Sequence, residues 1–165
     1  MRKETEILNA QDIRLRIERI AWQIIEDNTT QEHIYIAGIV KSGYLLAQKI
    51  KLVLDEHANF KTTLVKLTID KEHADGNHTI DTDVASMKQS SVVLVDDVLN
   101  SGQTLMHALK ILLKAELKKI RTAILVDRNH KRFPVTADFV GISLATTMQE
   151  HVTVTLGDSA KVVLA

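Results

Sequence analysis

The sequence contains no cysteine, a single proline and few aromatic residues. The absence of cysteine excludes a disulfide scaffold, a thiolate metal site and a cysteine nucleophile. Aromatic residues make up 4% of the chain and apolar residues 45%, so the core must be mainly aliphatic. No apolar run approaches the length of a membrane span, and the charged N-terminus lacks the apolar core of a signal peptide. With a length of 165 residues, these features predict one domain in a soluble, cytoplasmic protein.

An excess of either charge is also lacking, since Lys and Arg number 21 and Asp and Glu number 21. This balance gives no global attraction to nucleic acid or to an anionic membrane, although it leaves room for a local basic patch. One helical stripe would carry His107, Lys110, Lys114 and Lys118. We favour an exposed helix face over an RNA-phosphate patch for this stripe.

Segments with helical and strand periodicity alternate along the chain. The spacing of Ile13, Ile17, Ile20 and Ile24 is typical of an amphipathic helix, whereas SVVLV (91–95) is a continuous apolar run of the kind found in central parallel strands. The alternation predicts an α/β domain with a mainly parallel sheet flanked by helices. Helices are predicted over 11–27, 44–56 and 104–119, and strands over 33–39, 62–69, 91–95, 120–126, 138–144 and 151–156, with the tail 161–165 paired to the last of them.

The longest polar segment, DKEHADGNHTIDTDVASMKQ (70–89), separates two predicted strands and shows no apolar period. A long insertion of this kind in a compact domain is usually functional or disordered. It is either a mobile hood that closes over a site or a plain flexible loop. His73, His78 and the acidic residues around them match no zinc or calcium spacing, so a solvated loop is favoured over a metal site.

The stretch VVLVDDVLNSGQTL (92–105) joins a buried strand, two adjacent carboxylates and a glycine-containing loop that leads into a helix. In an open α/β sheet, ligands bind beyond the carboxyl ends of the strands, where Asp96 and Asp97 are placed. Backbone N–H groups of the loop 100–104 suit a monophosphate, because Gly102 lets the backbone approach closely. The carboxylates suit hydroxyl groups or a hydrated Mg²⁺, so the combination describes a ribose phosphate. The alternative is a pair of solvated acids followed by a helix N-cap at Ser101, which the full pattern disfavours.

This stretch resembles the phosphoribosyl-pyrophosphate (PRPP) signature of type I phosphoribosyltransferases, and the resemblance extends over nearly the whole chain. IAGIVKSGYLLAQKI (36–50) resembles the pyrophosphate loop of that fold and the helix after it. AILVDRNHKRFPVTADFVGISLATT (123–147) resembles the matching segment of the pyrimidine-operon attenuator proteins that are also uracil phosphoribosyltransferases. The specific parts of that segment are LVDR, the spacing of His130 and Pro134, and the ADFVG run.

The resemblance implies the type I phosphoribosyltransferase fold and a Mg²⁺-dependent reaction in which a nucleobase, with uracil as the first candidate, displaces pyrophosphate from PRPP. It also implies a homodimer or a larger homo-oligomer. Asp96 and Asp97 would bind the ribose hydroxyls, directly or through Mg²⁺, and would act in catalysis with Lys41. The other implied site residues are Asn100, Ser101, Gly102, Gln103 and Thr104 in the phosphate loop, Val40, Lys41, Ser42 and Gly43 in a pyrophosphate loop that often contains a cis peptide bond, Lys71 in the hood, and Asp127, Arg128, Phe139 and Val140 around the base.

Three positions depart from the pattern of the attenuator family, and a fourth departs from that of the purine enzymes of the fold. Ser42 stands where that family commonly has Arg, and Lys71 lies where its hood begins Tyr-Arg-Asp-Asp. Ser101 replaces the usual Thr, and Asn100 occupies the position at which purine enzymes of the fold carry an acid/base Asp. Asn cannot exchange a proton, and neither Ser nor Lys offers the two-point grip of Arg. These differences predict a slow or altered enzyme that prefers a pyrimidine.

Several alternatives stay open. The same fold could serve as a nucleotide-sensing regulator that binds pyrimidine-operon mRNA with little catalysis, for which a basic RNA face is needed. Lys41 could be a surface lysine at a strand end, and Phe139 could be a core residue instead of a base-stacking one.

A P-loop NTPase is rejected, because Tyr44 and Leu45 stand where Lys and Ser or Thr are required. A receiver domain is set aside, because such domains carry their acidic pair near the start of the chain.

Overall fold

The computed structural model describes residues 4–73 and 75–165 as an α/β fold with two sheets. Its α-helices are α1 (Ala10–Asp27), α2 (Ser42–His57) and α3 (Gln103–Leu112), and a 3₁₀ helix spans Val84–Met87. Its strands are β1 (Thr5–Leu8), β2 (His33–Ile39), β3 (Lys61–Thr68), β4 (Thr79–Ile80), β5 (Ser91–Leu99), β6 (Lys119–Asp127), β7 (Phe139–Ser143), β8 (Val152–Thr155) and β9 (Lys161–Leu164). Within the described ranges, no helix has the length and apolar character that crossing a bilayer requires.

The larger sheet has the strand order β4-β3-β2-β5-β6-β7. Strands β3, β2, β5, β6 and β7 run parallel, and β4 pairs antiparallel with β3 at the edge. The mainly parallel sheet predicted from the sequence is therefore confirmed. Because these strands are parallel, the loops that follow β2, β5, β6 and β7 leave from one edge of the sheet.

Both faces of this sheet are covered, which explains the continuous apolar run of β5. Val93 and Val95 point to the face that packs on α1 and α2, whereas Val92 and Leu94 point to the face that packs on α3. All four side chains are at most 1% exposed. A strand buried on both faces needs apolar residues at every position instead of alternate ones.

Helix α1 follows the pattern predicted for it. Ile17, Ile20 and Ile24 belong to its buried stripe. Oδ1 of Asn9 accepts the N–H of Asp12 at 2.9 Å, and the Asp12 carboxylate accepts the N–H of Asn9 at 3.1 Å. This reciprocal capping box satisfies two backbone donors at the N-terminus, including one that the first turn cannot pair within the helix.

The second sheet joins the two ends of the chain in the order β1-β9-β8. The antiparallel pair of β8 and β9 confirms the predicted pairing of the C-terminal tail. Strand β1 was not predicted, because TEIL is short and its partner β9 lies at the opposite end of the chain. Leu8 is 3% exposed and packs in the same core as α1.

Strand β5 is longer than predicted. It ends at Leu99 instead of residue 95, because its ladder with β6 continues to Leu99, opposite Asp127. Its ladder with β2 stops at Val95, opposite Gly38. The two carboxylates therefore lie within the last part of the strand, at the point where β2 no longer covers its edge.

Helix α3 is shorter than predicted and ends at Leu112. The N–H of Lys118 bonds to the carbonyl oxygen of Ser90, and Ser91 pairs with Lys119, which places the start of β6 beside the start of β5. Strand pairing thus overrides the local preference for helix. The predicted single helical stripe of basic residues is wrong, because its last two members lie beyond the helix.

An ion cluster links the end of α1 to the start of β6. The Asp27 carboxylate accepts hydrogen bonds from Nζ of Lys119 at 2.8 Å and from Nε of Arg121 at 3.1 Å. Partial burial acts to raise the pKa of Asp27, but the hydrogen bonds and charges of Arg121 and Lys119 outweigh it and hold this pKa below its ordinary value. The ionised carboxylate therefore stabilises the folded state.

We expect Asp27→Asn to lower the free energy of unfolding near neutral pH by about 1 kcal/mol or less, because partly exposed ion pairs contribute little. A carboxyl group with a depressed folded pKa contributes stability above its unfolded pKa of about 3.9 and loses it as the pH falls through the folded value. Urea unfolding at about pH 7, 5 and 3 should therefore show the difference shrinking toward zero. Asp158→Asn, in an exposed turn, is the control. A deficit that stays constant down to the lowest pH would contradict the role of the ionised carboxylate.

Candidate active site

The acidic pair combines one buried and one half-buried carboxylate. Asp96 is 3% exposed, and the N–H of Asp97 donates to its Oδ1 at 3.0 Å. Burial raises the pKa of Asp96 well above its ordinary range, and the Asp97 carboxylate raises it further, whereas the Lys71 ammonium lowers it. A carboxylate in this setting is stabilised by any cation or hydrogen-bond donor that a ligand brings.

The predicted pyrophosphate loop connects β2 to α2 beside this pair. Its Val40–Lys41 peptide bond is cis, as the resemblance implied. A Cβ atom on Gly43 would lie 2.8 Å from Oδ1 and 2.9 Å from Cα of Asp96, so only glycine allows this close approach. Lys41 is exposed and Ser42 is half-buried in the same loop. The structure therefore brings the pyrophosphate loop and the acidic pair together.

The predicted phosphate loop leads into α3. Gly102 has a φ of 88°, and a Cβ atom there would lie 2.5 Å from Cγ2 of Val135, so both the backbone and the space require glycine. Oγ of Ser101 accepts the N–H of Gln103 at 3.3 Å. The other N–H groups of the first helical turn have no acceptor within the helix, which favours an anion at this end of α3.

A cavity of about 170 Å³ joins these parts. Its lining includes Lys71 from the hood, Asp96 from β5 and the whole phosphate loop from Asn100 to Thr104. An ammonium, a carboxylate and a helix N-terminus thus face one space. This combination suits a ligand that carries both phosphate and hydroxyl groups.

The hood contains more regular structure than its polar sequence indicates. Strand β4 pairs with β3, and Met87 in the 3₁₀ helix is fully buried against the core on the α3 side. Near the tip, the Asp70 carboxylate accepts the N–H groups of Glu72 at 3.0 Å and His73 at 3.2 Å. Lys71 lies in this turn and lines the cavity. Closure of the hood over a ligand stays a prediction.

The edge of the sheet at which β2, β5, β6 and β7 end is called the ligand edge below. Arg128, predicted near the base, bridges two loops at this edge. Its guanidinium donates to Oδ1 of Asn100 at 2.9 Å. It also donates to Oγ1 of Thr146 at 3.0 Å and to the carbonyl oxygens of Thr147 and Glu150 at 3.2 and 2.6 Å. Arginine only donates, so the Asn100 amide must turn its carbonyl oxygen toward it and its Nδ2 donor away. Arg128 therefore ties the phosphate loop to the loop 144–150.

The other residues predicted around the base are separated by the structure. Asp127 ends β6 at the ligand edge, where its carboxylate accepts the N–H of Asn129 at 2.9 Å. Phe139 is the first residue of β7 and pairs with Ala123 of β6. It therefore lies at the end of β7 that is away from the ligand edge, and Val140 follows it. Phe139 is 8% exposed and packs in the core with α1, in agreement with the core-packing alternative. The structure does not bring Phe139 and Val140 to the phosphate loop.

Sequence reasoning missed the loop 144–150, which follows β7 at the ligand edge. The N–H of Leu144 bonds to the carbonyl oxygen of Asp127, and Thr146 is 8% exposed beneath Arg128. The sequence signal that could have revealed this loop was the predicted strand before it, because the loop after each parallel strand of such a sheet lies at the same edge.

The donor set at the acidic pair fits Mg²⁺. The described residues contain no group of three His, Cys, Asp or Glu side chains that would enclose a metal ion by themselves. Mg²⁺ does not require one, because it is usually held by one or two carboxylates with phosphate oxygens and water. Asp96 lines the cavity that suits a phosphate, and Asp97 is the next residue of β5, so these two would supply the carboxylates.

Comparison with known proteins defines the class to which this fold and site belong. The model of the phosphoribosyl transferase domain matches residues 3–157, and the chain belongs to this family. Among its relatives, the Bifunctional protein PyrR of Fusobacterium nucleatum subsp. nucleatum is 35% identical over 159 residues, which cover 91% of this chain and 89% of the relative. The Bifunctional protein PyrR of Caldicellulosiruptor bescii is 34% identical over 163 residues, covering 92% and 88%. The family predicted from the sequence is confirmed.

Solved structures agree on the fold. A hypoxanthine phosphoribosyltransferase of Trypanosoma cruzi has a TM-score of 0.79 and 17% identity, with coverage of 97% of this chain and 95% of the other. A hypoxanthine-guanine phosphoribosyltransferase of Bacillus anthracis has a TM-score of 0.72 and 19% identity, with coverage of 86% and 83%. At these identities the likeness confirms the fold and carries no information on the base.

We expect Asp96→Asn to raise the melting temperature of the ligand-free protein at neutral pH. Asn has nearly the same shape and keeps the oxygen that accepts the Asp97 N–H, while it removes a carboxyl group whose ionisation is costly in this buried setting. A gain of about 1 kcal/mol would raise Tm by about 2–4 °C in a chain of this size. Asp97→Asn, at the half-buried neighbour, should shift Tm less. A clear fall in Tm for Asp96→Asn would show that the carboxylate stabilises the free protein.

Proposed function

We propose that this protein transfers the phosphoribosyl group of PRPP to uracil, with release of pyrophosphate. The observation that carries the proposal is the cavity shared by Lys71, Asp96 and the phosphate loop. PRPP offers the complementary groups: a phosphate for the start of α3, ribose hydroxyls for the carboxylates, and a diphosphate for Lys71 and the loop 40–43. The 35% identity to a Bifunctional protein PyrR supports the same assignment.

The reaction breaks the bond between ribose C1 and a pyrophosphate oxygen and forms a bond from C1 to a base nitrogen, which loses its proton. Negative charge grows on the pyrophosphate and positive charge on the sugar. The loop 40–43, with Lys41, and the ammonium of Lys71 would stabilise the first charge. Asp96 and Asp97 would orient the ribose, and a closed hood would keep water from the sugar cation. Mg²⁺ held by the two carboxylates would supply further neutralisation of the leaving group.

Asn100 favours a pyrimidine as the acceptor. Its Oδ1 is held by Arg128, and an amide cannot exchange a proton with a purine nitrogen as an aspartate can. Uracil is the pyrimidine that the resemblance to the attenuator proteins implies. The base would lie between Asp127, at the end of β6, and the loop 144–150, which share the ligand edge with the phosphate loop.

A panel of nucleobases, assayed with PRPP and Mg²⁺, tests the function. We expect uracil to give the highest kcat/KM among uracil, hypoxanthine and guanine. Asp97→Ala should abolish PRPP binding measured by calorimetry, because it removes a ligand for both hydroxyls and Mg²⁺. Asp158→Ala, an exposed carboxylate away from the site, should bind as the parent does. Parental PRPP affinity in a folded Asp97→Ala variant would refute the site, and a preference for a purine would refute the base.

Ser42 and Lys71 are expected to lower the rate of the transferase reaction, because each stands where the family pattern has an arginine. Restoring the family pattern with Ser42→Arg/Lys71→Arg should raise kcat/KM for uracil about 10-fold or more, because a bidentate guanidinium acts where negative charge develops. Ser42→Lys is the matched control, since it restores the charge without the fork and should gain less. Steady-state kinetics of the three proteins measures the effect. A double variant no faster than the parent would show that these positions do not limit the reaction.

We further propose that the protein is a homodimer or a larger homo-oligomer. Four large apolar side chains are exposed, two on α1 and two on its neighbour α2, with the members of each pair seven positions apart, and exposed apolar helix faces often mark an interface. They are Leu15 at 50%, Trp22 at 47%, Leu45 at 44% and Leu52 at 70% exposure. A monomer at micromolar concentration in sedimentation velocity would contradict the proposal.

A second candidate function is binding of pyrimidine-operon mRNA. A groove of about 530 Å³ beside the phosphate loop is lined by the basic side chains of Arg128, His130, Lys131 and Arg132. Such a groove suits a polyanion, and RNA binding through it would weaken as salt concentration rises. A gel-shift titration with the leader RNA tests this function, and the absence of any shift at low salt would refute it.

A further inference from the structure

The hood contacts α3 through two stacked histidines that have no role in the proposed transfer of the phosphoribosyl group. The ring centroids of His78, in the hood, and His107, in α3, lie 4.7 Å apart with 32° between the ring planes. Aromatic rings at this separation attract each other when they are offset or tilted. His107 lies about one helical turn beyond Thr104 of the phosphate loop. The pair thus connects the hood to the helix whose first turn faces the cavity.

His78 belongs to the same folded unit of the hood as Lys71. Nδ1 of His78 accepts the backbone N–H of Asp70 at 3.0 Å, so its ring is hydrogen-bonded to the residue directly before Lys71. The Asp70 side chain closes the turn that contains Lys71 by accepting the N–H of Glu72 at 3.0 Å. Gly76 also packs on it, since a Cβ atom there would lie 2.5 Å from the Cβ of Asp70. A displacement of His78 would therefore displace Lys71.

Among the described residues of this unit, the attachment to the sheet lies at its base. Strand β4 contributes Thr79 and Ile80, which pair with Thr68 and Leu67. A ladder of two residues, followed by the hydrogen bonds between Asp81 and Lys66, is too short to fix the direction of the segment 70–78 by itself. Contacts made by side chains must supply the rest, and the stacked pair supplies one on the α3 side.

We propose that His107 is a positioning residue for the transferase reaction, which holds the hood on α3 through His78 and thereby keeps Lys71 over Asp96. The inference rests on the proposed function, because Lys71 serves catalysis only when an anionic ligand occupies the cavity. Lys71 and Asp96 line the same cavity, so the ammonium is already placed for that ligand. Misplacing a group that stabilises a transition state by about 1 Å can cost orders of magnitude in rate.

Kinetics of matched variants on α3 tests the stacking. His107→Ala should lower kcat/KM for PRPP about 10-fold. Met106→Ala changes the adjacent side chain, which is 37% exposed, and should keep the parental value. His107→Phe retains an aromatic face for His78 and should restore most of the activity. A His107→Phe variant as slow as His107→Ala, with both folded, would overturn stacking as the mechanism.

A double-mutant cycle with Lys71→Met tests whether His107 acts through Lys71. In the parent, Lys71→Met should reduce kcat/KM. In the His107→Ala background the same change should cost much less, because the ammonium is already displaced. Losses that multiply independently in the double variant would overturn the link between His107 and Lys71.

Hydrogen exchange tests the contact without turnover and separates it from the proposed function. In the absence of ligand, backbone amides in the described part of 70–78 should exchange about 10-fold faster in His107→Ala than in the parent or Met106→Ala. Unchanged exchange in a folded His107→Ala variant would overturn the positioning role. A parent that shows the expected exchange but no transfer to any base would refute the proposed function while the contact between hood and α3 stands.

Discussion

The buried carboxylate of Asp96, at the end of an otherwise apolar strand, is the constraint on which the site depends. Pairing of β5 with β6 carries Asp96 into the interior, while pairing with β2 stops at the residue before it. The pyrophosphate loop fills that gap and approaches so closely that only Gly43 fits. A buried charge without full compensation is costly, so the free protein holds this carboxylate against its solvation preference. The groups that would relieve the cost are cations and hydroxyl donors, which are the groups a phosphoribosyl ligand and its metal would bring.

The loops around this carboxylate are held by residues that are distant in sequence. The carbonyl oxygen of Ser101 accepts the N–H groups of Arg132 and Phe133, at 2.8 and 3.1 Å, and Arg128 reaches Asn100 from the same segment. The loop 100–104 and the segment 128–133 are therefore fixed relative to each other by these hydrogen bonds. Asn100 contributes a hydrogen bond to this frame through its Oδ1, which accepts from Arg128. Preorganisation of this kind reduces the reorganisation needed in the reaction.

The hood adds the third side of the site and differs from the other two in how it is held. The loops 100–104 and 40–43 are continuous with central strands. The hood instead rests on the short β4 ladder with the adjacent hydrogen bonds between Asp81 and Lys66, and its other contacts include the buried Met87 and the pair of His78 and His107. Such a segment has fewer buried residues than the central strands, and Met87 is its buried anchor. Its cation, Lys71, can thus be placed over the buried carboxylate without being part of the core.

The sequence by itself determined the parallel sheet, the helices and the placement of the acidic pair before a phosphate loop, because these depend on local periodicity and on residues that are neighbours along the chain. Even the departures at Ser42 and Asn100 are visible there. Only the tertiary structure decided the partners of these residues, since strand register and loop paths, and not local spacing, determine which side chains meet. Pairing with β6 extended β5, the return to β5 shortened α3, and the register of β7 placed Phe139 in the core. For the same reason no local pattern could show that Arg128 bridges two loops or that His107 contacts the hood.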